Sequence, residues 1–238
     1  MILVPGMDGT GDLFYRQVPL LERVFRVATY ALRDTTPSMD VLVRDLDHVV
    51  QTVAPDERRA IVVGESFGGT LALSLALARP DRLEALVILN SFPYFPPQLR
   101  LHLALIGLSA MPWGAMVLVR RVTASRLHSR HTHRDEIRRF LDLTRGTTRD
   151  GYMNRLRALT TYDVREKLAE IACPTLFLAA EHDHLVPSVA QARLMASRVP
   201  RATTKILAGH GHICLIAPDV DLAAILTAWR RDLHASAG

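Results

Sequence analysis

Cysteine is nearly absent from this chain: Cys173 and Cys214 are the only two among 238 residues. Two isolated cysteines build no disulfide framework, so a reducing compartment, the cytoplasm, is the expectation, with both thiols buried and inert. The N-terminus, Met1-Ile2-Leu3-Val4-Pro5-Gly6, lacks a basic stretch and is too short an apolar run for a signal peptide. No hydrophobic run is both long and unbroken. Leu101 to Val119 carries no formal charge and is bracketed by Arg100, Arg120 and Arg121. Gly107, Pro112 and Gly114 interrupt it, and His102 and Ser109 add polarity. Two short helices on either side of Met111-Pro112-Trp113-Gly114 are expected there, not a transmembrane segment. Lysine is missing altogether between 91 and 165, where 13 arginines face 5 acidic residues and give a net +8. Aromatics do not interleave with these arginines and no matching motif occurs, which argues against nucleic acid as a partner. No internal repeat and no low-complexity tract is visible.

What is present is a regular alternation. A chain of this size can bury a substantial core within one domain. Strands are expected at Met1–Val4, Arg26–Tyr30, Ala60–Val63, Ala85–Leu89, Thr175–Ala179 and Thr203–Leu207. Helices are expected at Leu13–Arg23, Ser38–Val53, Gly69–Arg79, Ser188–Arg198 and Asp219–Leu233. Strands rich in Val, Ile and Leu without polar alternation are buried on both faces, which points to a parallel sheet flanked by helices. The expected class is α/β, a doubly wound, mostly parallel sheet. Residues 91–163 break the alternation with a proline-rich exit, Ser91-Phe92-Pro93-Tyr94-Phe95-Pro96-Pro97, and helical pieces after it. They read as a helical cap inserted into a core of 1–90 and 164–238, and the cap carries the basic character of the protein.

Gly64-Glu65-Ser66-Phe67-Gly68 is the most informative stretch. It follows the apolar run Ala60-Ile61-Val62-Val63 and precedes a helix-forming run from Thr70 to Ala78. In a strand–turn–helix context Gly-x-Ser-x-Gly has a mechanical meaning. The chain reverses so sharply at the serine that its hydroxyl is left exposed at the sheet edge, where ligands of open parallel sheets bind. A serine hydroxyl is a poor nucleophile, so it needs a base, and the base needs an orienting carboxylate, in the chain order serine, acid, histidine. The acid should follow the strand after Cys173-Pro174: Asp183 is preferred, with Glu181 as the alternative, and a helix-capping role is the other use of that aspartate. The base should follow the next strand, in Gly209-His210-Gly211-His212. His212 is preferred over His210 because Pro218 lies six residues beyond it, near the usual distance. A metal pair lacks a third ligand. The backbone N–H of Phe67, directly after the serine, and that of Met7, in Pro5-Gly6-Met7-Asp8-Gly9-Thr10-Gly11, are the expected oxyanion donors. A phosphate cradle is excluded at that loop, because no Gly-Lys-Ser/Thr follows and the glycine spacing is wrong.

With these pieces placed, the chain resembles the α/β-hydrolase superfamily. It is most similar to small carboxylesterase-type members of the pimeloyl-carrier-protein methyl ester carboxylesterase kind. The resemblance rests on Pro5 to Gly11, Gly64 to Gly69, Cys173-Pro174-Thr175 with Asp183 and Val186-Pro187, and Gly211-His212. It departs from the family pattern in four ways: the chain starts at the equivalent of a third strand, without the first hairpin; Pro5-Gly6 stands where His-Gly is frequent; Glu65 stands where histidine is frequent; and residues 31–37 are too short for the usual Pro-Gly-x-Gly-x-Ser segment. The resemblance implies a serine hydrolase of carboxylic esters with a Ser66–His212–Asp183 triad and no metal or cofactor. An acyltransferase, a thioesterase, a carbon–carbon bond hydrolase or a non-catalytic ligand binder on the same fold are the alternatives. The cap should set specificity, with Leu101, Leu105, Leu108, Trp113 and Met116 as candidate walls of an acyl pocket. Its arginines could dock an acidic acyl carrier protein or simply form a solvated face. His128, His131 and His133 match no common metal spacing and are read as exposed basic residues.

Overall fold

The computed structural model describes residues 1–55, 59–95, 105–116, 118, 121 and 132–235. Six strands, β1 (Ile2–Val4), β2 (Ala28–Thr29), β3 (Ala60–Glu65), β4 (Leu83–Leu89), β5 (Thr175–Ala180) and β6 (Ala202–Leu207), form one sheet in the order β2-β1-β3-β4-β5-β6. Every pairing is parallel. The central strands β3 and β5 are buried along their whole length, as their largely apolar composition allows. One apolar cluster covers one face of the sheet through Val62, Leu71, Leu86 and Phe177. A second covers the other face through Val63, Val87, Leu178 and Trp229. The edge strand β6 alternates exposed and half-buried residues, because only one face of its neighbourhood is covered.

The helices follow from local chemistry. Short α1 spans Val18–Leu21, α2 spans Met39–Val53 and α3 spans Phe67–Ala78. Ser38 caps α2 by accepting the Val41 N–H, and Leu42, Val43, Leu46 and Val50 bury the stripe that faces the sheet. Helix α3, apolar all round, is buried on nearly every side. The single helix expected at Leu13–Arg23 is instead a 3₁₀ segment, Asp12–Arg16, followed by α1. Pro19 explains the break: it has no N–H for the carbonyl of Tyr15, and its ring would crowd that carbonyl. The strand expected at Arg26–Tyr30 shrinks to Ala28–Thr29, an edge strand whose only partner is the short β1.

Between β4 and β5 the described residues are mostly helical. Residues 105–110 are helical, a 3₁₀ turn follows at Trp113–Ala115 after the break at Met111-Pro112, and then come α4 (Arg134–Leu143) and α5 (Arg149–Ala158). A bridge between Tyr94 and Asp163 and a bond from the Val164 N–H to the Pro93 carbonyl at 2.9 Å close the neck of this segment. No helix among the described residues is long and apolar enough to cross a membrane. After β5 come α6 (Ser188–Ala196) and, after β6, α7 (Leu222–Ala235).

Gln17 ties the two ends of the chain together. Fully buried, it donates to the carbonyls of Leu215 (2.6 Å) and Val220 (2.9 Å) and accepts from the Leu222 N–H (3.0 Å). These bonds fix the loop between β6 and α7. Gln17→Leu should strand three buried backbone groups and cost at least about 2 kcal/mol. The check is the urea midpoint; a loss below about 0.5 kcal/mol would mean those groups find other partners.

Candidate active site

Ser66 sits at the corner between β3 and α3 with φ 52° and ψ −118°. A non-glycine residue with positive φ costs on the order of 1–3 kcal/mol and persists only where its surroundings over-determine it. Here the surroundings do so. The Ser66 N–H donates to the Leu89 carbonyl at 2.9 Å, its carbonyl accepts from the Gly69 N–H at 3.0 Å, and it also accepts the Ser91 hydroxyl at 2.6 Å. The turn also needs two bare backbones. A Cβ on Gly64 would lie 2.5 Å from the Gly68 carbonyl oxygen, and one on Gly68 would lie 2.2 Å from the Val4 carbonyl oxygen. The flanking glycines therefore let strand, helix and the loop after β1 touch.

His212 Nε2 lies 3.0 Å from Ser66 Oγ, and its Nδ1 lies 2.7 Å from Asp183 Oδ2. A carboxylate only accepts, so Nδ1 carries the proton and Nε2 is left to accept from the serine hydroxyl. Asp183 also accepts the N–H groups of Leu185 (2.9 Å) and Val186 (3.0 Å) and the hydroxyl of Ser188. Burial pushes its pKa up, but His212 and these donors outweigh it and hold the carboxyl below its ordinary range. Burial pulls the His212 pKa down. Asp183, by charge and hydrogen bond, and Glu65, by charge, outweigh it, and the net shift is upward. Of the paired candidates, then, Asp183 and His212 meet at Ser66. Glu181 does not: its carboxylate accepts the Gly209 N–H at 2.9 Å. Nor does His210, whose Nε2 lies 3.5 Å from Asp219.

Several residues of this centre carried no functional expectation. Asn90, at φ 47°, donates to the His212 carbonyl at 2.6 Å and accepts the Ala180 N–H at 2.7 Å, joining the ends of β4 and β5 to the histidine loop. Its signal was a polar residue directly at the carboxyl end of an apolar strand. Ser188 was placed only at the start of a helix. Pro187 occupies the N-cap position, and Ser188 bonds to Asp183. Glu65, noted only as a departure from family pattern, is 4% exposed. Burial, opposed by His212 and reinforced by Asp8 and Asp183, raises its carboxyl to about 7.

Ser66, His212, Asp8 and Glu65 line a cavity of about 220 Å³, small for a ligand site. Its apolar walls come from Leu13, Met116, Phe140, Tyr152, Leu185 and Ile213. Of the expected cap residues, Met116 lines it. Leu105 and Leu108 pack against the core instead, and the Trp113 ring lies 5.9 Å from that of Tyr152. Leu101, His128 and His131 lie outside the described residues, and His133 is exposed at the start of α4. The sequence could not show which cap residues face inward, because an irregular helical insertion has no fixed register against the sheet. No Lys or Arg is among the described lining residues. Met7 belongs to the wall, in a turn closed by the Gly9 N–H donating to the Gly6 carbonyl at 3.1 Å. Phe67 opens α3, so its amide is one of the helix's unpartnered first-turn donors, at the positive end of the helix dipole. Among the described residues no group of three or more His, Cys, Asp or Glu side chains could hold a metal ion. Both cysteines are free, and burial holds the Cys214 thiol protonated.

Comparison with known proteins places the chain. The family model for a hydrolase family described as serine aminopeptidase, S33, matches residues 29–219. A relative from Caulobacter sp. (strain K31), named "Putative carbamate hydrolase RutD", is 30% identical over 243 residues, covering 95% of this chain and 88% of that protein. Among solved structures, an enol-lactonase from Burkholderia xenovorans LB400 superposes with a TM-score of 0.78 at 22% identity, over 98% of this chain and 90% of that one. A thermophilic esterase from Thermogutta terrifontis superposes with a TM-score of 0.84 at 19% identity, over 98% and 89%. At these identities the two structures speak for the fold alone. The chain therefore belongs to the α/β-hydrolase family described as serine aminopeptidase, S33, and is a hydrolase.

Proposed function

We propose that this protein hydrolyses small, uncharged carboxylic esters through an acyl-enzyme on Ser66. The observation that carries the reading is the hydrogen-bonded line from Asp183 through His212 to Ser66, opening on a small, largely apolar cavity. Ser66 Oγ bonds to the ester carbonyl carbon as His212 Nε2 takes the hydroxyl proton, and the carbonyl electrons move onto oxygen. The Phe67 and Met7 amides stabilise that oxyanion, while Asp183 stabilises the imidazolium. The carbon–alkoxy bond then breaks, and the alcohol leaves with the proton from His212. Water attacks the acyl-enzyme with His212 again as base, which releases the acid and restores the serine. Orientation and electrostatics supply the acceleration; no metal step is invoked.

Charge selects among the rivals. The relative's name points to a carbamate. A carbamate anion would lie against Asp8 and Glu65 with no Lys or Arg among the described lining residues, whereas an uncharged carbamate ester would be attacked as a carboxylic ester is. A long acyl chain fits a cavity of about 220 Å³ poorly. An acyl carrier protein as acyl donor is secondary for a second reason. Arg138 pairs with Asp135, Arg145 pairs with Asp142, and Arg155 points inward, so part of the cap's positive charge is already engaged. Acyl transfer, thioester cleavage or carbon–carbon bond hydrolysis would use the same three side chains and differ in what the cavity admits. Two free thiols, one of them fully buried, suit a reducing cytoplasm.

Ser66→Ala should keep the circular-dichroism spectrum and lose about 10³-fold or more of p-nitrophenyl acetate turnover; an active variant would remove the serine from the mechanism. Only neutral His212 can accept the serine proton, and its pKa is raised above 6.5. The acid limb of kcat/KM should therefore have its midpoint above that value, and Glu65→Gln should move the midpoint down by removing a negative neighbour. Glu65 also predicts a pH-dependent stability. Its folded pKa of about 7 lies above the unfolded 4.5. The folded state thus holds the proton more tightly, and stability falls as pH rises from 4.5 through 7, by up to roughly 3 kcal/mol. Glu65→Gln should raise the melting temperature at pH about 8.5 and leave it unchanged at pH about 4.5. An equal shift at both would show that ionisation is not the cause.

A further inference from the structure

We propose that Arg155 is a positioning residue that holds the oxyanion-binding turn in its working conformation from the cap side. The proposal rests on the hydrolase reading above, with Met7 as a donor. Arg155 lies on α5 and is 1% exposed, the largest fully buried side chain among the described residues. Its Nη2 donates to the backbone carbonyl of Asp8 at 3.3 Å. The guanidinium lies so close over Gly9 that a Cβ there would sit 1.7 Å from Nη2. Gly9 has φ +74°, so a bare left-handed residue is what lets the arginine in.

The turn is fixed on its other sides as well. The Asp8 carboxylate accepts the Thr10 N–H at 3.0 Å and the Thr10 hydroxyl at 2.8 Å. The Gly9 carbonyl accepts the Leu32 N–H at 2.7 Å. The Asp8 carbonyl belongs to the peptide that closes the turn after Met7, and Arg155 holds that peptide plane. Arg155 is itself anchored: Nη1 and Nη2 each donate to Asp34 Oδ1 at 2.9 Å. Asp34 accepts the Thr148 hydroxyl at 2.6 Å, and its backbone carbonyl accepts from Asn154 at 2.8 Å. Gly151 makes room, since a Cβ there would lie 2.0 Å from Asp34 Oδ1.

Docking α5 did not require a buried charge. Met153, Leu156 and Ala158 already bury its apolar side, and a well-packed apolar pair in place of a buried ion pair is often neutral or stabilising. What a methionine could not supply is an N–H directed at the Asp8 carbonyl. If the turn relaxes, the Met7 amide moves off the site of the developing oxyanion. Misplacement by about 1 Å can cost about 10²-fold, and a lost donor about 10²–10³-fold.

The test is the double variant Arg155→Met with Asp34→Asn, which removes both charges together and keeps an acceptor for Thr148. Its kcat on p-nitrophenyl acetate should fall about 10- to 100-fold, with KM within about twofold and the urea midpoint little changed. Affinity for a trifluoromethyl ketone, which forms an oxyanion on the serine, should fall by the same factor as kcat. If the asparagine version does not fold, Arg155→Met with Asp34→Leu is measured in the same way. Wild-type kcat, or a fall in kcat with ketone affinity unchanged, would make Arg155 a structural tie only and overturn the proposal. Failure of the underlying reading looks different: the wild-type protein itself would show no inhibition by the ketone.

Discussion

The site depends on one strained residue. Ser66 holds a positive φ because β3 must become α3 within a single residue, and that corner survives only where three backbones are allowed to touch. The Val4 carbonyl, the Gly68 backbone and the Gly64 backbone meet there without an intervening side chain. The same contact brings the turn that carries Met7 beside the first residue of α3, so the serine and the Met7 and Phe67 backbones are set by one packing event. Strain of this kind needs anchoring on the far side. The Leu89 carbonyl and the Ser91 hydroxyl provide it from the end of β4.

Three carboxyl groups lie near one another at the site, and their environments set them apart. Asp183 is buried but accepts bonds from His212, Ser188, Leu185 and Val186, so its charge is well solvated by protein. Glu65 is buried beside two other acids, and its pKa climbs to about 7. Asp8 spends one of its oxygens on Thr10. The outcome is an ionised partner for the histidine and an acidic cavity floor that disfavours anions. This is how neighbouring groups of one chemical type take different roles.

The segment between β4 and β5 reaches this centre through two polar ties. On α4, Glu136 accepts from Tyr15 and from Arg16, while the Arg139 guanidinium lies 4.0 Å from the centre of the Tyr15 ring. On α5, Arg155 and Asp34 bind the turn itself. Between them Phe140 packs with Leu13, Ile213 and Ile216, which belong to the segments after the Met7 turn and after His212. The cavity wall is therefore made jointly by the segment between β4 and β5 and the rest of the fold.

The alternation of apolar runs with helical ones determined the parallel sheet, because strands buried on both faces need no polar residues and leave an unambiguous pattern. The Gly64-Glu65-Ser66-Phe67-Gly68 stretch likewise carried the position of the serine, since only small residues permit that corner. Chain order singled out Asp183 and His212 from their neighbours Glu181 and His210, but only as preferences: two residues in a flexible loop have no local rule deciding which faces the serine. In the tertiary structure His212 is the one that faces the serine, and Asn90 grips its carbonyl from the end of another strand. Tertiary structure also decided which cap residues line the cavity, and that Arg155 turns inward to Asp34 across 121 residues of sequence. Periodicity records which face of an element meets the core. It does not record which buried charge meets which partner, because that pairing exists only once distant segments have been brought together.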